Sequence, residues 1–280
     1  MHIKIGFDIQ LAIDSPMALI YVLHVHPSRR DDLLVPEIVQ VDPPLLPNEY
    51  LDAFGNQCGR VNAPAGTRQV RFRSESIILD SGLPDEVNWF ARQHDATELP
   101  PATLQFLLPS RYCEVDSPLL QFAWNQFGNS LPGWGRVQAI CDYVHQHIRF
   151  DYNAARATRT AVEGWREGTG VCRDFTHLAV TLCRCMNIPA RYCTGYLGDI
   201  GIPAVPDPMD FSAWFEVFLD DRWYTFDARH NTPRIGRVVM ARGRDAGDVP
   251  ITMAFGPNTL QRFEVTTYEV DALGNAVSAL

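Results

Sequence analysis

The stretch GTGVCRDFTHLAVTLCRCMNIPARYCTGY, residues 168–196, decides how the rest of the chain is read. Gly168 and Gly170 lead into a segment whose apolar residues Phe175, Leu178, Ala179, Leu182 and Met186 recur at three and four, the spacing of one helix face. Asn187 and Pro189 end that helix, and residues 190–197 then read as a strand. Cys172 falls in the first helical turn, where the unpaired N–H groups and the helix dipole favour a thiolate. Arg173 adds to that effect and Asp174 opposes it. Glycine just before the thiol would let a substrate backbone approach closely. The plain alternative is that Cys172 is a small buried hydrophobe, as most reduced cysteines are.

Downstream, SAWFEVFL and RWYTFD flank Asp220 and Asp221 in the manner of a two-residue β-hairpin. That turn sets Leu219 opposite Arg222 and therefore Ser212 opposite Arg229, with Asp227 the diagonal neighbour of Ser212 on the same face. Further strands are expected at RIGRVVMA and QRFEVTTYEV. Upstream, Asp116 or Ser117 caps a helix that begins at Pro118 and runs to Gly128. Val137, Ile140, Cys141, Val144 and Ile148 trace the apolar stripe of a second helix, and Thr160 with Glu163 forms a capping box for a third. The first 80 residues alternate in short runs, Ile3 to Ile9, Met17 to Val25 and QVRFRSESIIL at 69–79, which is the pattern of antiparallel strands. Residues 81–101 read as a connection. The fold class is α+β, with an antiparallel β domain over residues 1–95 and a second domain over 96–280 built on the Cys172 helix.

With 280 residues, 46% hydrophobic, the chain has the material for a large core. Its net charge of −9 and lack of a basic block argue against a nucleic-acid partner. The N-terminus shows strand alternation rather than a signal sequence, and the apolar run PMALIYVLHV is far short of the roughly 20 residues that cross a bilayer, so no membrane association and a cytoplasmic location are expected. Seven irregularly spaced cysteines argue for reduced thiols rather than a disulfide framework. Cys183 and Cys185 diverge by about 200° on a helix. His145 and His147 diverge in the same way, and His24 with His26 lack further ligands nearby. No metal and no other cofactor is implied.

On GVCRDFTHLAVTLCR, NIPARYCTGY and DFSAWFEVFLDDRWYTFDARHN, occurring in that order, the sequence resembles the transglutaminase-like superfamily, in particular a bacterial branch described as cysteine proteases with an N-terminal β domain. FLLPSRYC and RIGRVVMARGRDA add to the likeness, which spans roughly residues 100–245. The resemblance implies a papain-like core in which a Cys–His–Asp triad acts on peptide or amide substrates. It assigns the nucleophile to Cys172 and the orienting acid to Asp227. The histidine position before AWFEV holds Ser212, whose hydroxyl does not shuttle protons near neutral pH as imidazole does.

His177 lies about 140° around the helix from Cys172 and is expected to pack beneath the sheet. His230 is the substitute candidate. In ideal register it faces Phe211 on the opposite face from Ser212, so a bend or bulge must bring it round. Trp223 is a candidate border of an acyl groove. Two functions follow: cysteine-dependent acyl transfer or hydrolysis on a peptide or protein substrate, with proteolysis or amidolysis ahead of crosslinking, or a pseudoenzyme whose groove binds a peptide or protein partner. A metal-dependent hydrolase is a third, distant reading. The sequence leaves substrate, acyl acceptor and oligomeric state open.

Overall fold

The structure, a computed structural model, describes residues 1–205 and 208–277. The N-terminal part contributes β1 (His2–Ile13), β2 (Met17–Tyr21), β3 (Gln40–Asp42), β4 (Asn48–Leu51), β5 (Gln57–Ala63) and β6 (Gln69–Leu79). Residues 81–100 connect it to α1 (Pro101–Leu104), α2 (Pro118–Phe127) and α3 (Trp134–His147). The strand β7 (Arg149–Phe150), α4 (Ala161–Glu167), β8 (Thr169–Gly170) and α5 (Cys172–Cys185) follow. The chain then runs through β9 (Ala190–Tyr196), β10 (Ser212–Leu219), β11 (Arg222–Phe226), β12 (Val238–Gly243), β13 (Thr252–Ala254) and β14 (Asn258–Val270). Helix and antiparallel sheet thus segregate as the α+β reading requires.

Local signals place these elements. Ser117 accepts a hydrogen bond from the Leu119 N–H and Pro118 opens α2. At α4, Thr160 and Glu163 form the reciprocal capping box, and Gly168 ends the helix in the left-handed region at φ 61°. Asp220 and Asp221 both take positive φ, 48° and 63°, in the two-residue turn that joins β10 to β11. The observed register, Leu219 opposite Arg222 and Phe215 opposite Phe226, is the one hairpin arithmetic gives.

Two four-stranded sheets, in the orders β14-β1-β6-β3 and β13-β2-β5-β4, share one apolar cluster that includes Ile3, Ile5, Ile9, Leu19, Val61 and Phe72. β13 and β14, which a division at residue 95 leaves with the second domain, pair with β2 and β1. The chain therefore returns to its first sheets after finishing the core. Tyr196, Phe211, Val238 and Met240 of the core join the same cluster, so the two units meet through apolar packing.

The core sheet runs β11-β10-β9-β12, and α5 lies against β9 and β10. Every residue of α5 from Asp174 to Cys185 is buried. Its walls are α2, α3, α4 and the sheet, gathered in a cluster with Leu178, Leu182, Val144, Phe215 and Val217 at its centre. Such a helix does not move easily, and cutting Leu182 to alanine should cost about 2–5 kcal/mol. That rigidity fixes where Cys172 sits.

Candidate active site

Cys172 is the first residue of α5 and only half-buried, while the other six cysteines are buried. The turn before it is tied down by Asp174, whose Oδ2 accepts the Val171 N–H at 2.9 Å and an Arg159 N–H at 2.9 Å. Gly170 is needed for this cap rather than for substrate: a Cβ there would lie 2.6 Å from Asp174 Oδ2. Cys172 opens on a cavity of about 280 Å³ whose other walls include Tyr152, Asp210, Ser212, Arg229 and His230.

The sulfur differs from expectation in one respect. Burial pushes its thiol up to about 11, Arg229 pulls the other way, and an Ala213 N–H reaches the sulfur. The sequence reading expected a thiolate at the helix N-terminus. Cys172 packs against the buried cluster that includes Val22, Tyr192, Ala213 and Val249, and this burial outweighs the helix contribution and favours the protonated thiol.

Ser212 starts β10 opposite Gly195 of β9 and is 6% exposed. The residue lines the cavity, while its hydroxyl oxygen is buried and has no hydrogen-bond partner among the described residues. The strand slot is therefore part of the site and holds no base.

An imidazole reaches the same cavity from elsewhere. The ladder between β10 and β11 stops at Phe215 and Phe226, leaving Ser212, Ala213 and Trp214 unpaired on that side. Beyond Phe226 the chain turns, closed by the Asn231 N–H donating to the Asp227 carbonyl at 2.8 Å. This is the bend that the register demanded. It brings His230 back over Asp227, so that Oδ1 accepts the Arg229 and His230 N–H groups at 2.9 and 3.0 Å and Oδ2 accepts Nδ1 of His230 at 2.8 Å. A carboxylate only accepts, so Nδ1 carries the proton and Nε2 is the free lone pair of the neutral ring. His230 and Cys172 face the same cavity.

Asp227 is 7% exposed. Burial works to raise its carboxyl, but Arg237, with Nη2 at 2.9 Å, together with His230 prevails and holds it well below the ordinary carboxylate range. Arg237 in turn stacks over Trp214 at 5.1 Å and pairs with Asp85 at 2.8 Å. Asp227 thus sits at the centre of a buried network of His230, Arg237 and Asp85.

Sequence reasoning missed the face of α3 that grips the turn. His145 Nδ1 donates to the Arg229 carbonyl at 2.8 Å, Asp142 Oδ1 accepts the Asn231 side-chain amide at 2.8 Å, and Gln138 donates to Asn231 Oδ1 at 2.9 Å. Positions 138, 142 and 145 are a helical stripe of polar residues, and that spacing is the signal the sequence carries for this face. His177 is where it was expected: fully buried, neutral through burial, stacked on Tyr112, with Nε2 accepting the Ala246 N–H at 3.1 Å. Trp223 lies away from the cavity, under Arg191 at 4.0 Å and edge-on to Phe106 and Phe218.

Residues 121–228 match the family model of the transglutaminase-like superfamily. A solved structure from Cytophaga hutchinsonii, a "putative cysteine protease", is 27% identical and superposes with a TM-score of 0.82, covering 99% of this chain and 94% of that one. An uncharacterized protein of Mycobacterium leprae is 22% identical over 75% of this chain and 76% of its own length. One of Mycobacterium tuberculosis is 25% identical over 71% of this chain and 68% of its own.

Proposed function

We propose that this chain, whose residues 121–228 match the transglutaminase-like superfamily, is a cysteine hydrolase of amide or peptide bonds whose triad is Cys172, His230 and Asp227, with the imidazole supplied by a turn instead of a strand. The observation that carries the reading is the Asp227–His230 pair at 2.8 Å opening on the cavity that holds the thiol. Nε2 takes the proton from Cys172 as the sulfur bonds to the substrate carbonyl carbon. N–H groups in the first turn of α5 are the donors for the developing oxyanion. The protonated imidazole then gives its proton to the leaving nitrogen as the C–N bond breaks, and a thioester remains. Water attacks the thioester while Nε2 accepts its proton, and the S–C bond breaks to return the thiol. Hydrolysis is preferred to crosslinking because water suffices for the second half.

Ser212 acquires a positive meaning in this reading. A side chain no larger than serine leaves the strand end open for the ring of His230, so the family's histidine and His230 are alternative sources of one imidazole. A competing reading, a silent binding groove, draws support from the thiol held near 11. Chloroacetyl peptides separate the two: triad chemistry predicts alkylation of Cys172 that slows at least tenfold in His230→Ala protein. Equal rates in both proteins would leave only the binding groove.

A further inference from the structure

The cavity contains more guanidinium than the triad uses. Arg229 stacks over Phe150 at 3.8 Å and lies close enough to Cys172 to pull its thiol downward. Asp227, its nearest acid in sequence, is occupied by His230 and Arg237. Among the described residues the Arg229 guanidinium enters no ion pair, so most of its five-donor fork remains unspent. Arg234, 5% exposed, also lines the cavity. One Nη2 hydrogen bond to the Gly198 carbonyl at 2.8 Å holds it, Asp199 is 3.9 Å away, and Nε has no partner among the described residues. A buried guanidinium with an orphan donor is costly to keep.

The acids on the same walls do not absorb this capacity. Asp199 accepts the Val205 N–H at 2.8 Å and only approaches Arg234, at 3.9 Å, and Asp210 is within electrostatic reach of Arg229; among the described residues neither acid accepts a hydrogen bond from either guanidinium. Resting on the triad reading above, we infer that the substrate carries a carboxylate beside the scissile amide and that Arg229 and Arg234 hold it. A free peptide C-terminus has this chemistry, and so does an acidic side chain next to the cleaved bond. The cavity, about 280 Å³, suits a terminal residue better than a continuous chain. The enzyme is then an exo-acting carboxypeptidase or small-amide hydrolase, with Arg229 oriented by the same turn that carries His230.

The test uses matched tripeptides that end in a free carboxylate, in a C-terminal amide, or in an amide preceded by glutamate. For the full chain, kcat/KM on the free acid should exceed that on the neutral amide by about tenfold to a hundredfold, the range of a charge-assisted contact. Arg229→Gln and Arg234→Met should each collapse this ratio toward one, mainly through KM. A preference for the glutamate peptide instead assigns the carboxylate to a side chain. Equal kcat/KM for all three peptides, with turnover intact, overturns the inference and leaves the triad standing. Binding of the free acid to Cys172→Ala protein, measured by calorimetry, covers the converse. A retained acid preference without turnover in the parent keeps the inference and removes the hydrolase, and no preference in binding or turnover removes the inference.

Discussion

The N-terminal end of β10 and the turn after β11 border the same cavity, yet they contribute to it in opposite ways. The strand end is a rigid, paired segment that presents a small hydroxyl opposite Gly195. The turn is irregular backbone held by three side chains of α3, and it delivers the imidazole. A side chain need not sit on regular structure to be held firmly, so long as its support is buried and hydrogen-bonded. Here the support is Asp227, which receives two main-chain N–H groups, one ring N–H and a guanidinium.

The largest effect is expected at the tip of the turn. His230→Ala should lower the rate of peptide or aryl-ester hydrolysis by about 10²- to 10⁴-fold, the usual worth of general acid and base help, with the melting temperature nearly unchanged. Ser212→Ala, at the strand end, should cost less than tenfold. Equal losses at the two positions would mean that the turn has no special role.

Asp227→Asn comes next, since it removes both the proton acceptor for Nδ1 and the partner of buried Arg237. Losing one member of a buried pair costs about 3–5 kcal/mol, readable by urea unfolding. The pH dependence has a definite sign. A carboxyl held below its ordinary value stabilises the fold fully above the unfolded value near 4 and loses that contribution as pH falls toward its folded value. The wild type should therefore lose stability on acidification more steeply than Asp227→Asn.

The imidazole can also be moved from the turn to the strand. Ser212→His combined with His230→Ala should recover at least tenfold over His230→Ala alone, because the strand slot faces the same thiol. Ser212→His by itself should lower activity through crowding against His230. A single variant more active than the parent would sink the view that one space serves both rings.

A smaller effect is expected behind the turn. His145→Ala frees the Arg229 carbonyl and should reduce kcat severalfold with little change in KM, whereas a KM effect alone would indicate altered binding. Smallest is a change in shape: alkylation of resting Cys172 by iodoacetamide should keep rising with pH and level only near 11. A plateau near neutrality would reveal a preformed thiolate–imidazolium pair.

Much of this arrangement was legible in the residues themselves. Ser117, Thr160 with Glu163, and the paired aspartates 220 and 221 marked element ends because capping and turn chemistry are local. Period 3.6 in 175–186 and period 2 in 69–79 exposed the buried faces for the same reason. Cys172 and Asp227 could be named as candidates by position, and His230 as a substitute that needed a bend to reach the site. Their mutual geometry was not legible, since it turns on where the ladder between β10 and β11 ends.

What sequence alone determined was the kind of residue at each chemical station and the local backbone that holds it, because hydrogen bonds a few positions apart set both. Three things waited for the tertiary structure: the turn that folds His230 onto Asp227, the apolar wall that lifts the Cys172 thiol, and the return of β14 to β1. Each depends on segments distant along the chain, on α3 against the turn, on the cluster holding Val22 and Val249 beside Cys172, and on one terminal strand finding another. Desolvation and long-range pairing are properties of that assembled interior, and no short window of residues contains them.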